Sequence, residues 1–195
     1  MALYIGKFTN KLDGKGRVSL PSSYRLEMQK TPELKRLNVD EEYPHGFVYL
    51  YPSPRKEGVL EGSDHFFFNE LEQYVAGLDY MSEARDMFEE YYFGRAERLG
   101  LDDTGRFMIP KAFRDHIHFD GTNGGENRKE GNYCVFVGRR DRFEIHNQHY
   151  AEAVTRLNTA NSDGLKQAWA KLNHLRSQQM GKQQIDNKGG LVDGN

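Results

Sequence analysis

Apolar and polar residues alternate with period two, or run together as short apolar blocks, at several places in the chain. Arg17-Val18-Ser19-Leu20, GFVYLYP at 46–52, NYCVFVG at 132–138 and Arg142-Phe143-Glu144-Ile145 all predict β-strands. Longer stretches carry apolar residues at helical spacing. Phe67, Leu71, Tyr74, Val75 and Leu78 predict one helix, with Ser63 as its cap and Gly77 near its end. Ala84, Met87, Phe88, Tyr91 and Tyr92 predict a second, capped by Ser82. Beyond Tyr150 two further amphipathic pieces carry Ala153, Val154 and Leu157, then Leu165, Ala168, Trp169, Leu172 and Leu175, with Asn161-Ser162-Asp163-Gly164 between them. After about Gln178 the chain turns polar and glycine-containing, a composition that predicts disorder.

Part of this pattern is written twice. LDGKGRVSLPSSYR at 12–25 aligns with LDDTGRFMIPKAFR at 101–114, an offset of 89, and six of the fourteen positions are identical: Leu12/Leu101, Asp13/Asp102, Gly16/Gly105, Arg17/Arg106, Pro21/Pro110 and Arg25/Arg114. Conservative pairs, Val18/Phe107, Leu20/Ile109 and Tyr24/Phe113, extend the match. An Asp followed three residues later by Gly is a type I turn signature, and a left-handed Gly at that position closes a three-residue hairpin. Asp13 and Asp102 can therefore hold hairpin tips by accepting backbone N–H groups, while Gly16 and Gly105 take the positive φ. Pro21 and Pro110 end the strand and suit the start of a short helix, Ser22–Met28 in the first copy. One copy of about fifty residues is too small to bury its own apolar face comfortably. Two copies packed together as an intrachain pseudo-dimer solve that problem, which makes the expected fold α+β and β-rich.

Composition narrows the function. The chain has 195 residues, 37% hydrophobic, and a formal net charge of -2, so a global basic field is absent. Charge is instead local. Residues 1–30 carry Lys7, Lys11, Lys15, Arg17, Arg25 and Lys30 against Asp13 and Glu27, whereas 95–118 nearly balance. The stretch 61–90 holds nine acids and a single base, Arg85, and would repel a phosphate backbone. A basic two-stranded β-ribbon fits the major groove of B-DNA. Charge alone does not distinguish that role from a solvated face, nor Asp13–Arg17 from a purely structural pair. One cysteine, Cys134, excludes an intrachain disulfide framework. The N-terminus lacks a signal-peptide pattern and no apolar run approaches the ~20 residues of a membrane span, so a cytoplasmic protein is expected.

Catalytic signatures are missing. His116 with His118 would lie on one side of a strand, and His146 with His149 on one face of a helix, but no HExxH or Cys-rich spacing accompanies them. GxxxxGK[ST] and GxSxG are absent as well. The reading is a non-enzyme without cofactor, metal or small-molecule substrate.

The run LDGKGRVSLPSSYR, then FVYLYP, then YYFGRAERLGLDDTGRFMIPKAFR and finally VFVGRRDRFEIH resembles the MraZ family of bacterial transcriptional regulators over roughly residues 3–157. That resemblance implies two tandem SpoVT-AbrB, or swapped-hairpin, domains, here 7–54 and 96–149. Between them would lie a helical connector, 55–95, and after them a helical extension and tail, 150–195. It also implies a nucleoid-associated, ring-shaped homo-oligomer that binds short direct repeats in double-stranded DNA and represses its own division and cell-wall operon. Carried onto this chain, the family's Asp-x-x-x-Arg signature falls on Asp13 with Arg17 and Asp102 with Arg106. The expected DNA contacts are Lys7, Lys11, Lys15, Arg17 and Arg106; Asp13, Gly16, Pro21, Asp102, Gly105 and Pro110 are motif positions that build the fold. Two departures stand out. Thr104 replaces Lys15 in the second copy, and GTNGGENRKEG at 121–131 is a surface insertion. An AbrB-type antitoxin or protein-interaction module without its own operator is the alternative, weakened because antitoxins of this type usually carry one copy per chain.

Overall fold

The computed structural model describes residues 1–119 and 132–148, which belong to one unit, Met1–Ala151. The insertion at 121–131, the helices expected beyond Tyr150 and the polar tail lie outside the described residues.

Strands and helices follow the repeat. The first copy supplies β1 (Lys7–Lys11), β2 (Arg17–Ser19), α1 (Ser22–Met28), α2 (Pro32–Leu37), β3 (Phe47–Pro52) and β4 (Val59–Ser63). Then come α3 (His65–Ala76) and α4 (Glu83–Phe88), the latter continuing into a π-helical turn, Glu89–Phe93. The second copy supplies β5 (Glu97–Gly100), β6 (Arg106–Met108), α5 (Lys111–His116), β7 (Tyr133–Gly138) and β8 (Phe143–Asn147). The fold is α+β and mainly antiparallel sheet.

The strands of the two copies interleave. A six-stranded sheet has the order β1-β7-β8-β4-β3-β5, and a separate two-stranded ribbon joins β2 to β6. Each copy thus gives its first strand to the edge of the other copy's strand pair, and the order reads the same from both ends. The ribbon shows the same relation at residue level. Val18 lies opposite its own repeat counterpart Phe107; Leu20 N–H donates to the Gly105 carbonyl and Ile109 N–H to the Gly16 carbonyl. A pseudo-two-fold axis passes between Val18 and Phe107 and again between β4 and β8.

This corrects the hairpin reading. The turn at Asp13–Gly16 forms, but β1 and β2 part beyond it and pair with strands of the other copy rather than with each other. The reason is burial. Paired across the copies, the apolar residues of β2 and β6 close one side of a shared core. Into it go Leu12 and Leu101, Val18 and Phe107, Leu20 and Ile109, Tyr24 and Phe113, and Met28 and Ile117. Inward residues of the large sheet, Val48, Leu50, Leu60, Cys134, Phe136, Phe143 and Ile145, form the facing wall. Burial pushes the Cys134 thiol up to about 12, leaving it a small core hydrophobe.

On the opposite side of the sheet α3 covers β3, with Phe68 stacked on Tyr49 at 4.0 Å and Tyr92 against Tyr51 at 5.2 Å. The cap of α3 is Asp64, whose carboxylate accepts from Phe67 N–H, and not Ser63, which is still paired with Tyr49 at the end of β4. Consequently Phe68 is the buried aromatic where Phe67 was expected, and Tyr74 is exposed. Ser82 caps α4 as expected. His116 ends a helix and His118 has a φ of 62°, so the two do not share a strand face; His146 lies on β8 rather than on a helix.

Candidate nucleic-acid interface

Directly opposed residues of an antiparallel pair share one face of the sheet. In the ribbon Arg17 lies opposite Met108 and Ser19 opposite Arg106, while the intervening Val18 and Phe107 turn inward. The outward face is therefore Arg17, Met108, Ser19 and Arg106. Two arginines from different copies stand on it as diagonal neighbours.

Each arginine is fixed by the turn that precedes it. Asp13 Oδ1 accepts from the backbone N–H of Lys15 at 2.8 Å and of Arg17 at 2.9 Å, and Oδ2 accepts from Arg17 Nε at 2.7 Å. The second copy repeats this: Asp102 Oδ1 accepts from Thr104 N–H and Arg106 N–H, and Oδ2 from Arg106 Nε at 2.8 Å. Thr104 adds its own hydroxyl to Asp102 at 2.6 Å, a bond for which Lys15 has no equivalent. Gly16 and Gly105 close the turns at φ of 82° and 76°. The Asp13 carboxyl is held at about 2, first by the Arg17 backbone N–H and then by the Arg17 side chain. Asp102 is held well below the usual carboxylate range, first by the Thr104 hydroxyl and then by the Arg106 N–H. Both carboxylates are thus acceptors at neutral pH. Among the described residues the two guanidiniums bond to protein through Nε alone, so on these partly exposed side chains, 37% and 38%, the terminal nitrogens are left as donors.

A second pair of arginines locks the turns from behind. Arg25, on α1, donates from Nη1 to the Thr104 carbonyl, and a Cβ at Gly105 would overlap its guanidinium. Arg114, on α5, packs against Gly16 at the matching place, but its Nη1 donates to the Ile109 carbonyl of its own copy. Each copy thus packs an arginine against the turn of the other. Both residues belong to the repeat, but their contact crosses between copies, so sequence spacing alone gave them no role.

Of the remaining expected contacts only Lys15 lies beside this face; Lys7 and Lys11 are on the opposite face of the large sheet, away from the ribbon. Lys15 is exposed at the tip of the first turn, beside Arg17. Lys7 and Lys11 project from the solvent side of β1, an edge strand; Phe8 and Asn10 alternate with them, and the Asn10 amide donates to the Ser19 carbonyl at 2.7 Å. At the other end of the ribbon Asp103 and Thr104 occupy the positions of Gly14 and Lys15, so the outward face is more basic at the first-copy end. Pro21 and Pro110 are the N-cap residues of α1 and α5. Ser19 and Met108, which complete the ribbon face, were missed because nothing in their residue type marks them before the cross-copy register is known.

Among the described residues no cluster of three or more His, Cys, Asp or Glu side chains is arranged to hold a metal ion, and no helix is long and apolar enough to cross a membrane.

No family model matches the chain. Individual relatives do. The chain is similar to transcriptional regulators: one of Rickettsia canadensis, 34% identical over 145 residues, which cover 74% of this chain and 81% of the relative; one of Rickettsia bellii, 33% identical over 146 residues, 74% and 81%; and one of Methylocella silvestris, 28% identical over 144 residues, 73% and 72%. All three are MraZ proteins, and the chain belongs to the MraZ family.

Proposed function

We propose that the protein is a sequence-specific DNA-binding regulator of transcription and that the β2–β6 ribbon is its reading head. The carrying observation is the outward pair of arginines, each preset by a carboxylate that occupies Nε and leaves the terminal nitrogens for a guanine edge, O6 and N7. Lys15 stands next to Arg17 and supplies a phosphate contact that sets position but not sequence, while Lys7 and Lys11, on the side of β1 away from the ribbon, add to the basic charge of the first-copy end. Asp13, Gly16, Pro21 and their counterparts Asp102, Gly105 and Pro110 build the support. The interleaved strands agree with a swapped-hairpin arrangement of the copies 7–54 and 96–149, joined through 55–95 and extended by 150–195.

One ribbon buries little surface and binds weakly. Several held at fixed spacing in a ring of identical chains engage successive direct repeats at high effective concentration, which gives a nucleoid-associated repressor of its own operon. The acidic stretch 61–90 would face away from DNA in such an assembly.

Titration of the chain with a duplex from the region upstream of its own reading frame tests this. Wild type binds specifically, with affinity falling steeply as salt rises. Arg17→Ala binds that duplex no better than an unrelated one while it still unfolds cooperatively and keeps its oligomer size in light scattering. Near wild-type affinity for Arg17→Ala would remove the ribbon as the reading head.

A further inference from the structure

The pseudo-two-fold axis of the ribbon carries Arg17 onto Arg106 and Met108 onto Ser19. The arginines obey the symmetry and their cross-strand neighbours break it. One end of the outward face is Arg17 beside Met108; the other is Arg106 beside Ser19. Met108 is 58% exposed, whereas Phe107 before it and Ile109 after it are buried. Scattered exposed apolar residues are ordinary on a protein surface. This one lies directly opposite Arg17, on a face whose other members are polar.

Resting on the DNA-binding reading above, we infer that Met108 is a specificity-determining residue that packs on the methyl group of a thymine next to the base contacted by Arg17, and that the Met108/Ser19 mismatch gives the ribbon a direction along DNA. The chemistry follows from the groove. The 5-methyl of thymine is the one apolar group a base pair displays in the major groove, and a flexible, polarisable thioether fits it without exact alignment. The Ser19 hydroxyl both donates and accepts, so it tolerates any base edge. A ribbon obeying its two-fold would read an inverted repeat. One with a methyl reader at a single end reads a polar element, and copies of that element recur in the same orientation.

Replacing each thymine of the upstream duplex in turn by deoxyuridine deletes the methyl and leaves the pairing edge intact. Wild type is expected to lose about four-fold in affinity at one thymine of each repeat, the effect of one buried methyl. Met108→Ser should bind the thymine and uracil duplexes alike and still depend on Arg17. Because the side chain is exposed, its melting temperature should match wild type. Ser19→Met should acquire a second thymine preference on the far side of the element. Specific wild-type binding that no uracil substitution weakens, or an unchanged thymine preference in Met108→Ser, overturns the role of Met108 and leaves the DNA-binding reading standing. Absence of any specific binding by wild type overturns both.

Discussion

Asp13 shows how much of the site a single carboxylate organises. It closes the turn, accepts two backbone N–H groups and fixes the arginine that projects from the ribbon. Only the ionised form can accept all of these. Its pKa in the folded protein, about 2, lies below the ~3.9 of an unfolded aspartate, so the stabilisation it contributes is complete above pH ~4 and fades as pH falls toward 2. Asp13→Asn lacks this contribution at every pH. The gap in melting temperature between wild type and Asp13→Asn should therefore be widest above pH ~4 and close on acidification; a gap constant from pH 6 to pH 2 would show that ionisation of Asp13 does not support the turn. Asp13, Gly16, Arg17 and their counterparts were legible in the sequence because the turn is local chemistry, complete within five residues. Arg25 and Arg114 were visible as identities without a role, since the turn residues they touch in the other copy, Thr104 and Gly16, are 79 residues or more away in the chain.

At the scale of elements, α1 and the strands β3, β7 and β8 were legible from apolar patterning; α2, β4 and β5 were not, and β4 shows why. β4 reads Val-Leu-Glu-Gly-Ser, with a charge and a glycine at the centre of a strand, yet every residue of it is buried. Glu61 is tolerated there because Arg55, Arg142 and the Ser53 hydroxyl surround its carboxylate. Its cross-strand neighbour is Glu144. Burial alone would raise the Glu144 carboxyl, but hydrogen bonds from His146, Arg139 and Lys56 hold it well below the usual range. Two buried like charges side by side are acceptable only with such separate sets of cations. None of the partners of Glu61 lies within five residues of it in the chain, so local patterning reads β4 as loop. Gly62 has an equally distant cause: it faces Phe143, whose ring occupies the space of a Cβ. Gly62→Ala should lower stability in urea unfolding by about 1–3 kcal/mol, the range for overfilling a packed site. An unchanged midpoint would mean that the ring moves freely.

For the whole molecule the interleaving has a mechanical result. Neither copy owns a complete sheet, since β1 is held by β7 and β5 by β3, and the ribbon needs one strand from each. Cutting the chain into 1–95 and 96–195 should therefore give fragments without a cooperative thermal transition by circular dichroism, and mixing them should restore one. A fragment that melts cooperatively alone would show that a copy is self-sufficient. The repeat in the sequence announced two equivalent halves; it could not announce the exchange of strands, because equal halves packed side by side and equal halves interlaced share one sequence pattern.

Joining the halves in one polypeptide also changes what substitution can do. In a dimer of identical chains every replacement appears on both sides of the axis, so the surface it presents stays symmetric whatever the residue. Here Lys15 and Thr104, or Ser19 and Met108, are separate codons. The arginines that brace each other's turns hold the two halves to a common geometry, and the outward positions are released from it, so this scaffold can vary its recognition surface one end at a time without disturbing the frame that carries it.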